Sequence, residues 1–162
     1  MEKSRGSNGR DISGVVRFDP MGSNGIRITG TVSNLPPGEH GLHIHELGDV
    51  TSGCTAGGGH FNPMGRQHGG PQMQERHIGD LGNIRADSQG MARIDITDRM
   101  VQLDGPNSIL GLTLMIHADK DDFGMGGFSD SKSTGHAGGR LACGVIGKAK
   151  AQLTTQYPQP IG

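Results

Sequence analysis

The chain has 162 residues, a formal net charge of −1, no Trp, a single Tyr and 30 Gly. One domain of this length buries about two-thirds of the surface its unfolded chain exposes, so no second domain is required. The near-neutral charge offers no basic stripe for nucleic acid, no window approaches the roughly 18 apolar residues of a membrane span, and Gly at this density with 8 Pro argues against a thick helical core.

In chain order, residues 1–11 read as a polar segment expected to be mobile. No apolar run follows the basic residues of MEKSRGSNGR, which predicts a soluble, cytoplasmic protein without a secretory signal. Beyond this segment, apolar residues recur with period two. Ile12–Phe18, Ile26–Val32, Leu42–His45, Met91–Ile96, Met100–Leu103 and Leu112–His117 each present one apolar face, which predicts strands. Turn signals separate them at Ser23-Asn24-Gly25, Pro36-Pro37-Gly38, Asp87–Gly90 and Asp104–Asn107. Strands joined this closely are antiparallel, and many short ones predict an all-β sandwich or barrel. Residues 48–83 and 118–142 break the rhythm: they are rich in Gly, polar residues and His. Connections usually run about 4–6 residues, and much longer ordered ones carry function or need a staple.

The histidines indicate that function. His43 and His45 stand at i and i+2 of a predicted strand, so both rings face one volume. Taken alone, the pair reads either as a metal-facing arrangement or as two polar positions on a solvated face. His60, His68, His77 and Asp80 come from a Gly-rich stretch with little apolar content of its own. Three imidazoles and a carboxylate suit a tetrahedral zinc ion, whose binding would order the loop. Cys54 and Cys143 lie 89 positions apart and form no CxxC pair. They are either one long-range disulfide or two buried thiols, and a cytosolic compartment favours thiols.

The segments GLHIHELGDVTSGCTAGGGHFNP (residues 41–63), HGGPQMQERHIGDLGN (68–83) and GHAGGRLACGVIG (135–147) closely resemble copper–zinc superoxide dismutases. The resemblance is collinear from Ile12 to Ala149, and it implies a domain over residues 12–149 followed by an extension, 150–162. The implied fold is an eight-stranded Greek-key β-barrel, a flattened sandwich whose metal-binding and electrostatic loops match the two irregular stretches. One copper per subunit would be held by His43, His45, His60 and His117, and one zinc by His60, His68, His77 and Asp80. His60 is then shared as an imidazolate, a form that two neighbouring cations make favourable. The implied substrate is superoxide, disproportionated to dioxygen and hydrogen peroxide as copper cycles between Cu(II) and Cu(I). His60 would take up a proton when its bond to copper opens and return it in the second half-reaction.

The resemblance also implies that Arg140 holds the superoxide anion with fixed donors. Asp121 would accept hydrogen bonds from His45 and His68 and fix both rings. Thr134 would narrow the channel together with Arg140, and Cys54 and Cys143 would form the intrasubunit disulfide that the family keeps even in the cytosol. His40 is expected to be structural, and His136 is assigned no metal.

Several departures qualify the match. Residues 2–10, EKSRGSNGR, contain no apolar residue where the family opens with an apolar strand, so that first strand is missing or replaced. Its loss would bare strand edges. Residues 151–157 have strand propensity ahead of Pro158 and Pro160, and read either as a strand at the vacated edge, in their own subunit or a neighbour's, or as a frayed tail, the commoner outcome for a terminus. Asp119 stands where the family often has an anion-attracting lysine, with Lys120 beside it, and Ser129 and Asp130 replace a usual acidic pair. Lys148 and Leu47 depart from the apolar and aromatic residues of the family's dimer contact, which leaves a homodimer open. A copper chaperone is an implied partner. Such chaperones also supply the alternative identity, a metal-binding module of this fold that is no enzyme, but they add CxxC and CxC motifs that this chain lacks.

Overall fold

The computed structural model describes residues 4–5 and 11–150. Its strands are β1 (Ser4–Arg5), β2 (Asp11–Pro20), β3 (Ile26–Ser33), β4 (Gly38–His45), β5 (Thr51–Cys54), β6 (Asp80–Ala86), β7 (Ala92–Asp98), β8 (Thr113–His117) and β9 (Arg140–Val145), with a short helix α1 (Ser131–Thr134). Eight strands form one antiparallel sheet in the order β1-β2-β3-β7-β6-β4-β8-β9. The steps from β3 to β4 and from β7 to β8 each skip two strands, the long connections of a Greek key.

Period-two patterning explains most of these elements. In β3, Ile26, Ile28 and Val32 are buried while Arg27 and Thr31 are exposed. The hairpin to β2 needs glycine at residue 25: its φ is +102°, and a Cβ there would lie 2.3 Å from the Asp98 carbonyl oxygen. Ile12, Ile28, Val32, Leu42, Ile44 and Ile109 are fully buried and anchor the core. The expected strand at Met100–Leu103 is absent. Asp98 Oδ1 accepts from the backbone N–H of both Met100 and Val101 at 2.9 Å, which turns the chain out of the ladder. Conversely, β6 and β9 begin inside stretches that read as irregular, because their burial does not alternate.

Two features position the site. In β4 every residue from His40 to His45 is buried: Leu42 and Ile44 belong to the core, and His43 and His45 occupy the opposite face. That face is roofed by the loops 46–79 and 118–139. The first loop is laced to β4 itself, since Phe61 N donates to Ile44 O (2.8 Å), Ile44 N to Gly79 O (2.9 Å) and Glu46 N to Gly59 O (2.9 Å). At the other end of the sheet, β1 is only two residues long and pairs with Asp11 and Ile12. The expectation for residues 151–157 lies outside the described residues.

Candidate metal centre

Six imidazoles and Asp80 come together beneath the two loops. His43 and His45 come from β4, His117 from the end of β8, and His60, His68 and His77 from the loop that ends at Asp80; all are buried. A bridge between His45 and His60 brings the loop histidine beside the strand pair. The His43 and His60 ring centroids are 4.0 Å apart, and those of His60 and His77 are 5.3 Å apart, so His60 stands between two clusters.

The partner of each ring's second nitrogen decides which nitrogen is left to face the centre. His45 Nδ1 is 2.8 Å from Gly58 O and His117 Nδ1 3.2 Å from Gly138 O, so these nitrogens donate. The two Nε2 lone pairs then face each other at 3.1 Å. His43 Nε2 donates to Asp121 Oδ2 at 2.6 Å, which leaves its Nδ1 bare. His43 Nδ1 and His60 Nε2 are buried without a hydrogen-bond partner among the described residues. Ligand atoms of His43, His45, His60 and His117 lie within 4.8 Å of one another. Four converging buried lone pairs with no proton among them repel unless a cation lies between, so these residues fit a metal ion.

The second cluster surrounds Asp80 Oδ1, which lies 2.9 Å from His60 Nδ1, 2.9 Å from His68 Nδ1 and 3.2 Å from His77 Nδ1. Metal–ligand distances of about 2.0–2.1 Å give tetrahedral edges of about 3.3 Å, close to these spacings. His68 Nδ1 approaches Asp80 without making a hydrogen bond, as ligands aimed at a common point would. His43 is near enough to join this set as well. Its Nε2 is committed to Asp121, however, and His77 Nδ1 lies 3.2 Å from both Asp80 Oδ1 and His60 Nδ1, which puts His77 with Asp80. Asp80 Oδ2 accepts from Gly69 N and His77 N, so one carboxylate gathers the histidines and stitches the loop.

Asp121 corrects one expectation. Its Oδ2 accepts from His43 and its Oδ1 from His68 at 2.7 Å, so the β4 histidine it orients is His43 rather than His45. The parity of β4 puts both rings on one face, but the loop carrying Asp121 passes over His43, and His45 turns to Gly58 instead. Asn83 pins Asp121 from below, its Oδ1 accepting from Asp121 N and its Nδ2 donating to Asp121 O. Gly135 closes the same corner from above. At φ +72° a Cβ there would lie 2.1 Å from Asp121 Oδ1 and 2.4 Å from His68 Nε2. Gly135→Ala is therefore expected to wedge Asp121 from His68 and lower the metal affinity of the Asp80 cluster about 10–100-fold, read by chelator competition.

The remaining candidates are placed as follows. Arg140, at the start of β9, donates from Nη1 to Cys54 O (2.9 Å) and Thr55 O (3.3 Å), and from Nη2 to Gly58 O. Cys54 and Cys143 are disulfide-bonded, with Cα atoms 5.7 Å apart. Thr134 is exposed and bonds to Asp130 O through Oγ1. His40 is buried with its nitrogens at His117 O and Pro36 O, and His136 stacks on Phe128 away from both clusters. Lys120 lies 3.2 Å from Glu39. Sequence reasoning missed Arg76, a buried cation paired with Asp98 at 2.7 Å that also donates to Pro71 O, His77 O and Ile78 O. No pattern in the sequence separates it from the partly exposed Arg66.

Protonation follows from this burial. Burial, reinforced by the neighbouring His60 ring, pushes His43 down to about 3, and burial is the main cause that takes His45 to about 2 and His117 to about 4. His60 is lowered too, burial outweighing the pull of Asp80. For His68 burial acts downward, but its hydrogen bond to Asp121 and the pull of the adjacent Asp80 carboxylate outweigh it and raise the ring to about 9. Burial would raise both carboxylates, yet the histidines hold Asp80 well below its usual range and Asp121 at about 2.

These shifts set two opposing slopes in the metal-free protein. His43, His45, His60 and His117 bind fewer protons folded than unfolded below their ordinary 6.5, so stability falls as the pH drops from there toward about 4. The contribution of His68 is full below 6.5 and is lost as the pH rises through about 9. The disulfide-intact, metal-free protein is expected to be most stable between these arms, with the acid arm steeper because four rings act on it against one on the alkaline arm. Denaturant midpoints measured across both arms check this, and a flat acid arm contradicts it.

Comparison with known proteins agrees with this geometry. The family described as Copper/zinc superoxide dismutase (SODC) matches residues 12–146. A Superoxide dismutase [Cu-Zn] of Candida albicans is 59% identical over 105 residues, covering 65% of this chain and 68% of that protein. The solved structure titled "Crystal Structure Analysis of the clock protein EA4" superposes with a TM-score of 0.82 at 44% identity, covering 84% of this chain and 87% of the other. With a match over most of its length and the two clusters in place, the chain belongs to the copper/zinc superoxide dismutase family.

Proposed function

We propose that His43, His45, His60 and His117 hold copper, that His60, His68, His77 and Asp80 hold zinc, and that Arg140 and His60 serve the disproportionation of superoxide there. Two superoxide anions and two protons become dioxygen and hydrogen peroxide. The reading rests above all on the buried lone pairs of His43 Nδ1, His60 Nε2, His45 Nε2 and His117 Nε2, which converge with no proton donor among the described residues.

When bound, copper supplies one-electron redox chemistry in an imidazole set that suits both of its oxidation states, and zinc, which has no redox chemistry, a fixed charge beside it. The protein's groups do the rest. Asp121 holds His43 and His68 in one orientation, so the two clusters share a support as well as a ligand. His60 presents Nδ1 to the Asp80 side and Nε2 to the His43 side, so Nε2 is the atom at which a proton is held and delivered. Backbone carbonyls fix the guanidinium of Arg140, and its charge depresses the proton affinity of His45 and His117. A small anion arriving on that side meets a planar donor already in position. Thr134, exposed at the end of α1, borders the approach in this reading.

Metal analysis with a superoxide-consumption assay tests the proposal. One copper and one zinc per chain are expected, with activity that tracks copper. A copper-free, zinc-loaded protein that consumes superoxide overturns it. The same reading extends to a homodimer through the face where Leu47 and Val145 are exposed, with Lys148 as a charge set against it, and sedimentation decides that point. Copper supply by a copper chaperone and a cytoplasmic location also belong to it, tested by copper transfer from such a chaperone and by cell fractionation.

A further inference from the structure

Met115 is fully buried yet stands apart from the apolar core. Its neighbours in β8, Leu114 and Ile116, belong to that core, so strand alternation turns Met115 to the other face, the one that carries His117 two residues on. Across the sheet it is paired with His43 on β4 and with Cys143 on β9. Directly opposite residues share a face. An uncharged thioether is thus set between a histidine of the copper-side cluster and one half of the disulfide.

Its end reaches the turn Cys54–Gly58. A Cβ added at Gly57 would lie 3.0 Å from Met115 Cε, 3.5 Å from His45 Cβ and 3.7 Å from Arg140 Nη1, so methyl, histidine and guanidinium all meet at that glycine. Gly57 is buried, and its carbonyl accepts from Leu47 N at 3.0 Å. The next carbonyl, that of Gly58, accepts from both His45 Nδ1 and Arg140 Nη2. One backbone oxygen therefore orients a cluster ring and the guanidinium together. Where it stands depends on what lies under the residue before it.

We propose that Met115 is a positioning residue for the site: Gly57 rests on its methyl, and through that contact the Gly58 carbonyl keeps His45 and Arg140 aligned with each other. This rests on the reading above in which His45 holds copper and Arg140 holds the anion. Reach is what the position needs. Methionine is unbranched and fills irregular gaps, and a valine in its place would stop two atoms short of Gly57. Glycine at residue 57 belongs to the same contact, since any Cβ there presses on the methyl.

Azide, a small anion, is the probe on the copper- and zinc-loaded protein, its affinity read from the visible absorption of copper. A displacement of about 1 Å near a reacting group can cost on the order of 100-fold, so Met115→Ala is expected to lower azide affinity and kcat/KM at least about tenfold at matched copper occupancy. With copper reduced, the His45 Nδ1 proton donated to Gly58 O is expected to exchange faster in this variant, and the His117 Nδ1 proton donated to Gly138 O to exchange as in wild type, both read by proton NMR. Gly57→Ala should weaken azide binding in the wild type by crowding the methyl. In the Met115→Ala background it should strengthen binding instead, because the added methyl enters the vacated space. A general loosening of the barrel reverses no sign. Wild-type azide affinity or wild-type His45 exchange in Met115→Ala overturns the proposal, and so does a Gly57→Ala effect of the same direction in both backgrounds. Arg140→Gln tests the underlying reading separately: if it binds azide as wild type does, the anion role of Arg140 fails, and the His45 proton then decides whether Met115 seats the Gly58 carbonyl.

Discussion

His45→Ala is expected to reduce superoxide consumption to background while the protein keeps its zinc and its fold. His45 contributes Nε2 to the copper-side cluster, 3.1 Å from His117 Nε2, and its other polar contact among the described residues is to the Gly58 carbonyl. That carbonyl still receives Arg140 Nη2 in the variant, so no buried acceptor is orphaned. Neither Asp80 nor Asp121 touches His45, which leaves the zinc-side cluster intact. His43→Ala should also abolish activity but is a less clean test. Asp121 holds His43 and His68 with its two oxygens, so losing one partner frees the carboxylate to shift and weakens zinc binding by about tenfold or more. Metal content and activity, measured on both variants, separate the roles. If His45→Ala keeps more than about a tenth of the wild-type rate, a metal whose coordination depends on it is not the redox centre.

How far the site could be read from sequence depended on whether its parts are local. The parity of His43 and His45 follows from two-residue periodicity, and the structure keeps it: both rings lie opposite Leu42 and Ile44. The barrel was legible for the same reason, strand by strand, wherever one face is buried and the other exposed. The reading failed where a side chain competes with the ladder, as Asp98 does at Met100 and Val101. It also failed where both faces are covered, as at the start of β6, where Asp80, Leu81 and Gly82 are all buried. The resemblance supplied the ligand sets but paired Asp121 with His45. The loop's path over β4, which decides that partner, is a long-range property. Asn83, Gly135 and Arg76 were out of reach altogether, since each matters through groups distant in sequence that folding brings against it.

The last expected result concerns the disulfide, which serves stability and the anion site together. Cys54 and Cys143 close an 89-residue separation. In the chain-entropy account a loop of that size contributes about 4–5 kcal/mol, so a Cys54→Ser/Cys143→Ser double variant should lose stability on that scale. The second effect is local. Cys54 is itself one of the carbonyls that hold Arg140, Thr55 and Gly58 follow it in the same turn, and Arg140 stands three residues before Cys143 on β9. The bridge thus clamps the acceptors to the strand that carries the donor. With the clamp gone, the guanidinium keeps its charge but loses its fixed orientation. The copper-loaded double variant should therefore show a lower kcat/KM than wild type, in the direction of Arg140→Lys, which also keeps the charge and gives up the planar set of donors. Rates are compared at matched copper occupancy, below the temperature at which either variant unfolds. A double variant that loses stability but matches the wild-type rate would confine the bridge to the fold and leave the hydrogen bonds from the guanidinium sufficient to hold it.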